Sequence, residues 1–94
     1  MTRVEIISNR SVQADIEETL ESTLPGIMYT VIPVVHGRGR ARRKLGTPTW
    51  PEENFVLIAY LSEADAETLR RVVGIIKRKF PEEGIKVFEV PEAR

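Results

Sequence analysis

The segment Phe55-Val56-Leu57-Ile58-Ala59-Tyr60-Leu61-Ser62-Glu63-Ala64-Asp65, continuing from Ala66 to Phe80, decides the fold. Its first seven residues are apolar throughout. That run is far too short for a membrane span and reads as a central strand, buried on both faces. Ser62-Glu63-Ala64-Asp65 has the form of a capping box: the hydroxyl accepts from a free N–H of the first helical turn, and an acid sits at the positive end of the helix. Behind it, Ala66, Leu69, Val72, Val73, Ile76 and Phe80 recur at three- and four-residue spacing, one apolar helix face. Arg70, Arg71, Lys77, Arg78 and Lys79 fall on the other side, and the last three suit the negative end of the dipole. Pro81-Glu82-Glu83-Gly84 is a turn, and Ile85 to Val90 is a further strand that Pro91 ends.

The same order appears toward the N-terminus. Val4-Glu5-Ile6-Ile7 predicts a strand over residues 3–8, and Ser8-Asn9-Arg10-Ser11 supplies turn and cap residues. Val12, Ile16, Leu20 and Leu24 share one helix face, with Asp15, Glu17, Glu18 and Glu21 off it; Pro25-Gly26 ends that helix. Ile27 to Val35 predicts a second strand. Pro33 lacks the N–H a ladder needs, so this strand belongs at a sheet edge. The whole reads β-α-β, long loop, β-α-β. Its fold class is α+β, a ferredoxin-like split βαβ sandwich (βαββαβ) with an antiparallel sheet and both helices on one face. Residues 1–94 are expected to be a single domain.

The chain has no cysteine and one histidine, which leaves no thiolate chemistry and a poor transition-metal set. No basic-then-apolar leader follows Met1, so a cytoplasmic location is the expectation. Fourteen basic and fourteen acidic residues cancel overall. Yet Arg38, Arg40, Arg42, Arg43 and Lys44 lie between His36 and Thr49 with no acid among them. They sit in the loop 36–54, nineteen residues where a hairpin needs two to five, with no helical or strand period. Gly37 and Gly39 let backbone approach a ligand closely, and the alternating arginines offer paired N–H donors to a phosphate. Gly37-Arg38-Gly39-Arg40 is neither a P-loop nor a Rossmann fingerprint.

On these segments the chain resembles the PII-like signalling proteins. Gly37-Arg38-Gly39-Arg40 resembles the opening of their long T-loop. Val4-Glu5-Ile6-Ile7, Ile32-Pro33-Val34-Val35-His36-Gly37-Arg38-Gly39 and Trp50-Pro51-Glu52-Glu53-Asn54-Phe55 resemble a compact nitrogen-regulatory PII-like subgroup. The resemblance implies a homotrimer with sheets facing a common centre. An adenine nucleotide or other small anion would bind in clefts between subunits, and the loop would dock on a target protein such as a transporter or enzyme. Carried over, it points to Gly37, Gly39 and Arg40 at the base of the T-loop and Gly84 before the last strand as phosphate contacts; His36, Arg38 and Lys86, the last displaced by one position from the family's lysine, complete the expected effector-binding set. Arg42, Arg43, Lys44 and Trp50 fall in the partner-binding loop. Two features depart from the larger PII proteins: Phe80-Pro81-Glu82-Glu83-Gly84 replaces their second phosphate loop, and no tyrosine stands in the T-loop for nucleotidylation.

No Ser/His/Asp constellation has a spacing signal, so catalytic residues and a metal site are both read as none, and the protein is not expected to be an enzyme. His36 reads as a hydrogen-bonded structural residue, a cleft lining or an anion contact when protonated, and Trp50 as a packing residue or a partner anchor. Glu52 and Glu53 could cap, coordinate a cation or pair with loop arginines across the trimer, and pairing is the least demanding of these. Two other classes remain open. An RNA-binding ferredoxin-like module wants exposed sheet aromatics, and Tyr29, Phe55, Tyr60 and Phe88 are the strand candidates; no RNP-like pattern surrounds them, so nucleic acid is not the expected partner. A CutA-like trimeric metal-tolerance protein would share the fold.

Overall fold

The computed structural model describes residues 1–38, 43–44 and 53–91. Strand β1 (Thr2–Asn9) leads through a single 3-10 turn (Arg10–Val12) into helix α1 (Gln13–Thr23). Then come β2 (Thr30–Val35), the two-residue strands β3 (Gly37–Arg38) and β4 (Arg43–Lys44), β5 (Asn54–Leu61), helix α2 (Glu63–Lys79) and β6 (Ile85–Pro91). The main sheet has the order β2-β5-β1-β6 with every neighbouring pair antiparallel. This is the ferredoxin-like topology expected from the sequence, with both helices on one face.

The helix boundaries follow local chemistry. Asn9 Oδ1 accepts from the Ser11 N–H at 3.0 Å and starts the 3-10 turn, so α1 proper begins at Gln13, one residue after the expected Val12. Gly26 takes φ 83°, the left-handed conformation glycine tolerates, and reverses the chain after α1. Ser62 Oγ accepts from the Asp65 N–H at 3.1 Å, the capping bond read from the sequence.

Two strand expectations need correction. The second strand begins at Thr30, because Ile27 still belongs to the turn: its N–H donates to Leu24 O at 3.0 Å. It does lie at the sheet edge, and its register against β5 slips between Ile32 and Val35, around Pro33. Strand β5 is central, but burial alternates along it. Phe55, Leu57, Ala59 and Leu61 are buried, Asn54, Val56 and Ile58 are half-buried, and Tyr60 is exposed. Both helices stack on the same side, so within one chain only that face is covered.

On that side Val4 and Ile6 of β1 and the four buried residues of β5 meet Ile16 and Leu20 of α1 and Leu69, Val73 and Ile76 of α2. Burial of each large side chain stabilises by about 1.5–3 kcal/mol before conformational entropy is charged against it. The opposite face carries Ile7, Ile32, Val56, Ile58, Tyr60, Phe88 and Val90, placed there by a register that puts Val56 beside Ile7, Phe88 beside Glu5 and Val90 beside Arg3. Ile32, Tyr60, Phe88 and Val90 are each between 43% and 59% exposed. Arg3 and Glu5 cross this apolar face as an internal pair at 2.7 Å, with Arg3 also stacked 6.0 Å from the Tyr60 ring.

Candidate functional site

Four chain segments meet at one end of the sheet. There β1 runs into Arg10, β2 into His36 and Gly37, β5 starts after Glu53, and β6 starts after Gly84. The ladder aligns them: Asn9 and Val35 both lie opposite Asn54, and Ser8 lies opposite Ile85. The backbone closes this end further, with the Asn9 N–H directed at Gly84 O at 3.3 Å and the Arg10 N–H donating to Glu53 O at 2.9 Å.

The sequence-derived site residues divide between the two edges. His36 and Gly37 follow the β2 edge, whereas Gly84 and Lys86 belong to the β6 edge. Three interstrand steps separate the edges, roughly 14 Å at ~4.8 Å per step. One chain therefore does not bring the two groups together. A Cβ at Gly37 or at Gly84 would meet nothing within 4 Å, so both glycines leave open space beside the backbone. Lys86 is exposed and points to the helix-free face, since its ladder partner Ile7 does.

The loop is not without strand structure, as had been expected. Strands β3 and β4 form a two-rung antiparallel ladder that sets Gly37 opposite Lys44 and Arg38 opposite Arg43. This stem gathers three of the loop's five cationic residues beside the β2 edge. Gly39, Arg40, Arg42, Trp50 and Glu52, also singled out from the sequence, lie outside the described residues.

Sequence reasoning missed the best-defined polar cluster at this end. Within the chain Glu53 pairs with Arg10: Arg10 Nη1 donates to Glu53 Oε1 at 2.9 Å. The other carboxylate oxygen, Oε2, lies 3.4 Å from His36 Nε2. The His36 hydrogen bond first, and then that of Arg10, hold the Glu53 carboxyl below its ordinary carboxylate range. One side chain thus ties together the ends of β1 and β2 and the start of β5. Arg10 and Glu53 are 43 residues apart, and no local spacing could announce the pair. Tyr29 is likewise not a free sheet aromatic. Its hydroxyl donates to Glu21 at 2.6 Å and lies 3.3 Å from Glu17, and that hydrogen bonding, reinforced by burial, pushes the phenol well above its usual value. Phe55 is in the core, which leaves Tyr60 and Phe88 as the exposed strand aromatics. Among the described residues no group of three or more His, Asp or Glu is placed to hold a metal ion.

No family model and no curated protein matches the chain. Solved structures match its fold. CPII of Thiomonas intermedia, a nitrogen regulatory PII-like protein bound to ADP, AMP and bicarbonate, aligns with TM-score 0.71 at 17% identity, over 99% of this chain and 88% of that one. A PII-like signalling protein of Thermus thermophilus aligns with TM-score 0.66 at 19% identity, over 95% and 83%. The de novo designed protein Foldit4 also matches, with TM-score 0.61 at 18% identity over 98% of each chain. The fold is therefore that of the PII-like proteins, and an artificial chain shares it. What the protein binds has to be argued from its own site.

Proposed function

We propose that the protein is a PII-like regulator, one domain per chain in a homotrimer, that binds a small anionic effector in the clefts between subunits and acts on a target protein through the loop 36–54. The observation that carries this reading is the division of the site between opposite sheet edges. In a ring of copies the β2 edge of one chain, with His36, Gly37 and the Arg38–Arg43 rung, meets the β6 edge of the next, with Gly84 and Lys86. Each junction then holds both halves of an anion site. The same ring turns the helix-free faces inward, which covers Ile32, Tyr60, Phe88 and Val90.

An adenine nucleotide is the effector class favoured here, because the fold relative CPII is bound to ADP, AMP and bicarbonate. An anion would offset the five loop cations that stand with no acid among them, and so favour one loop arrangement for a partner. The role is one of binding and signalling, with no catalytic step. Among the described residues no helix is long and apolar enough to cross a membrane, and a cytoplasmic site of action is part of the proposal.

Calorimetry with ADP, AMP, ATP and bicarbonate tests the reading, on the wild type and on Arg38→Ala/Arg40→Ala. Saturable binding is expected, weakened at least tenfold in the variant and reduced by salt. Absence of binding by every anion at moderate salt removes the effector. A second reading has one observation in its favour: Tyr60 and Phe88 are exposed on the helix-free face, where a sheet could stack single-stranded RNA. Filter binding with mixed RNA and a salt titration separates the two.

A further inference from the structure

We infer that Glu53 is an internal anion, occupying a small-oxyanion subsite formed by Arg10 and His36 that an effector's phosphate or carboxylate group must take over. The inference deepens the effector reading above and rests on it for the identity of the natural ligand.

The geometry resembles a filled site. Each oxygen of one carboxylate has its own partner, Arg10 Nη1 at 2.9 Å and His36 Nε2 at 3.4 Å. A phosphate or carboxylate oxygen pair would make the same two contacts. The partners come from different elements, the turn before α1 and the residue after β2, so they face one another only because the ladder brings the ends of β1 and β2 to either side of Asn54. Both remain reachable from solvent: the side chains of Arg10 and His36 are 46% and 47% exposed, against 25% for Glu53. Glu53 is also the sequence neighbour of Asn54, the first residue of β5, and closes the loop that His36 opens.

Two bonds hold this carboxylate with different strength. The Arg10 contact is short and charge-assisted, and it is doubled by the backbone bond from the Arg10 N–H to Glu53 O. The His36 contact is long. An incoming oxyanion therefore gains His36 most readily and competes with the carboxylate for Arg10. Once displaced, Glu53 no longer joins the two ends of the loop. Glu53 also sets a threshold, because only a ligand that supplies more than one carboxylate's worth of contacts displaces it.

Isothermal titration of inorganic phosphate and of ADP into the wild type, Glu53→Gln, Glu53→Asp and Glu53→Gln/Arg10→Ala tests this. Glutamine keeps the backbone bond and the shape but removes the charge. Glu53→Gln is expected to bind phosphate about tenfold more tightly than the wild type, the scale of one charge-assisted hydrogen bond. The gain should vanish in Glu53→Gln/Arg10→Ala, and Glu53→Asp should fall between. Thermal melting of each variant confirms that it folds. Wild-type ADP binding that Glu53→Gln leaves unchanged or weakens overturns the inference and leaves the effector reading standing. Phosphate binding gained through Arg10 without any nucleotide binding keeps the inference and removes the nucleotide. Silence of all four proteins toward both ligands overturns both.

Discussion

Phe88→Glu offers the most direct attack on the proposed assembly. Phe88 stands on the helix-free face, 47% exposed, directly opposite Glu5 in the β1–β6 register. About half of its side chain is thus left for a partner to cover, worth ~1 kcal/mol per subunit when buried. Glutamate loses that term and places an uncompensated carboxylate in the interface beside Glu5, which adds a further penalty of ~1–3 kcal/mol. Three symmetric copies multiply the loss to about 6–12 kcal/mol per trimer. At ~1.4 kcal/mol per tenfold, the association weakens by at least about 10⁴. The side chain is not in the core, so the folded chain should be unaffected, with helix content by circular dichroism equal to that of the wild type. Sedimentation equilibrium reads the outcome: a wild-type mass of about three times the 10.7 kDa chain, and a single-chain mass for Phe88→Glu. Phe88→Lys, able to face Glu5, should disrupt less. The reasoning is refuted if the wild type sediments as a monomer at tens of micromolar, or if Phe88→Glu remains trimeric.

Three further outcomes follow from the described contacts. The Tyr29 phenol, held protonated first by its hydrogen bond to Glu21 and then by burial, has its folded pKa raised. Its stabilising contribution is therefore present below the ordinary tyrosine value and is lost as pH rises through the folded one. In an ultraviolet titration the Tyr29 phenol should ionise above the ordinary tyrosine value, and Tyr29→Phe should remove that alkaline dependence of stability; ionisation of Tyr29 at the ordinary value would contradict it. Glu53, held low by His36 and Arg10, acts in the opposite sense: its contribution is present above the ordinary carboxylate range and lost as pH falls through the lowered folded value. Denaturant midpoints from pH 7 to pH 3 should fall less steeply in Glu53→Gln than in the wild type. Ser62→Ala removes the cap of α2 and should cost about 1 kcal/mol in urea unfolding; no change would mean that Asp65 finds another acceptor.

The parts of the fold that were legible in the sequence were those whose signal is local. The Ser62 cap, the Ala66-to-Ile76 stripe and the Pro25-Gly26 stop each depend on residues within a turn or two, and each stands where the sequence put it. Pro33 announced an edge strand because a missing N–H is a property of the residue itself. The burial of β5 misled for the converse reason. A run of seven apolar residues records that both faces are apolar, not what covers them, and within one chain only the helix side is covered. The polar site was the least legible. Arg10, His36 and Glu53 are distant in sequence, and only the ladder registers around Asn54 make them neighbours. The two-rung stem at Gly37 and Arg38 escaped because two residues cannot display a period.

Symmetry narrows what kind of assembly can complete the effector site. A two-fold dimer joined edge to edge pairs like with like: the β2 edge meets a second β2 edge, or the β6 edge a second β6 edge. Either arrangement doubles the His36 half or the Gly84 half and never unites them. Joining unlike edges side by side requires a heterologous contact, which closes as a ring or runs on as an open filament. The ring also has to turn the apolar helix-free faces toward its axis, because those faces carry Tyr60, Phe88 and Val90. The divided site and the exposed sheet are independent features, one set by strand order and the other by side-chain alternation. A closed ring accommodates both at once. An edge-to-edge two-fold dimer leaves the site divided and the helix-free sheet uncovered, and an RNA-binding monomer uses the aromatics while leaving the Gly84 edge without a role. The mass of the particle and nucleotide binding should therefore be lost together: in Phe88→Glu, a residue that lies on the helix-free face rather than in the site, ADP binding should disappear with the trimer.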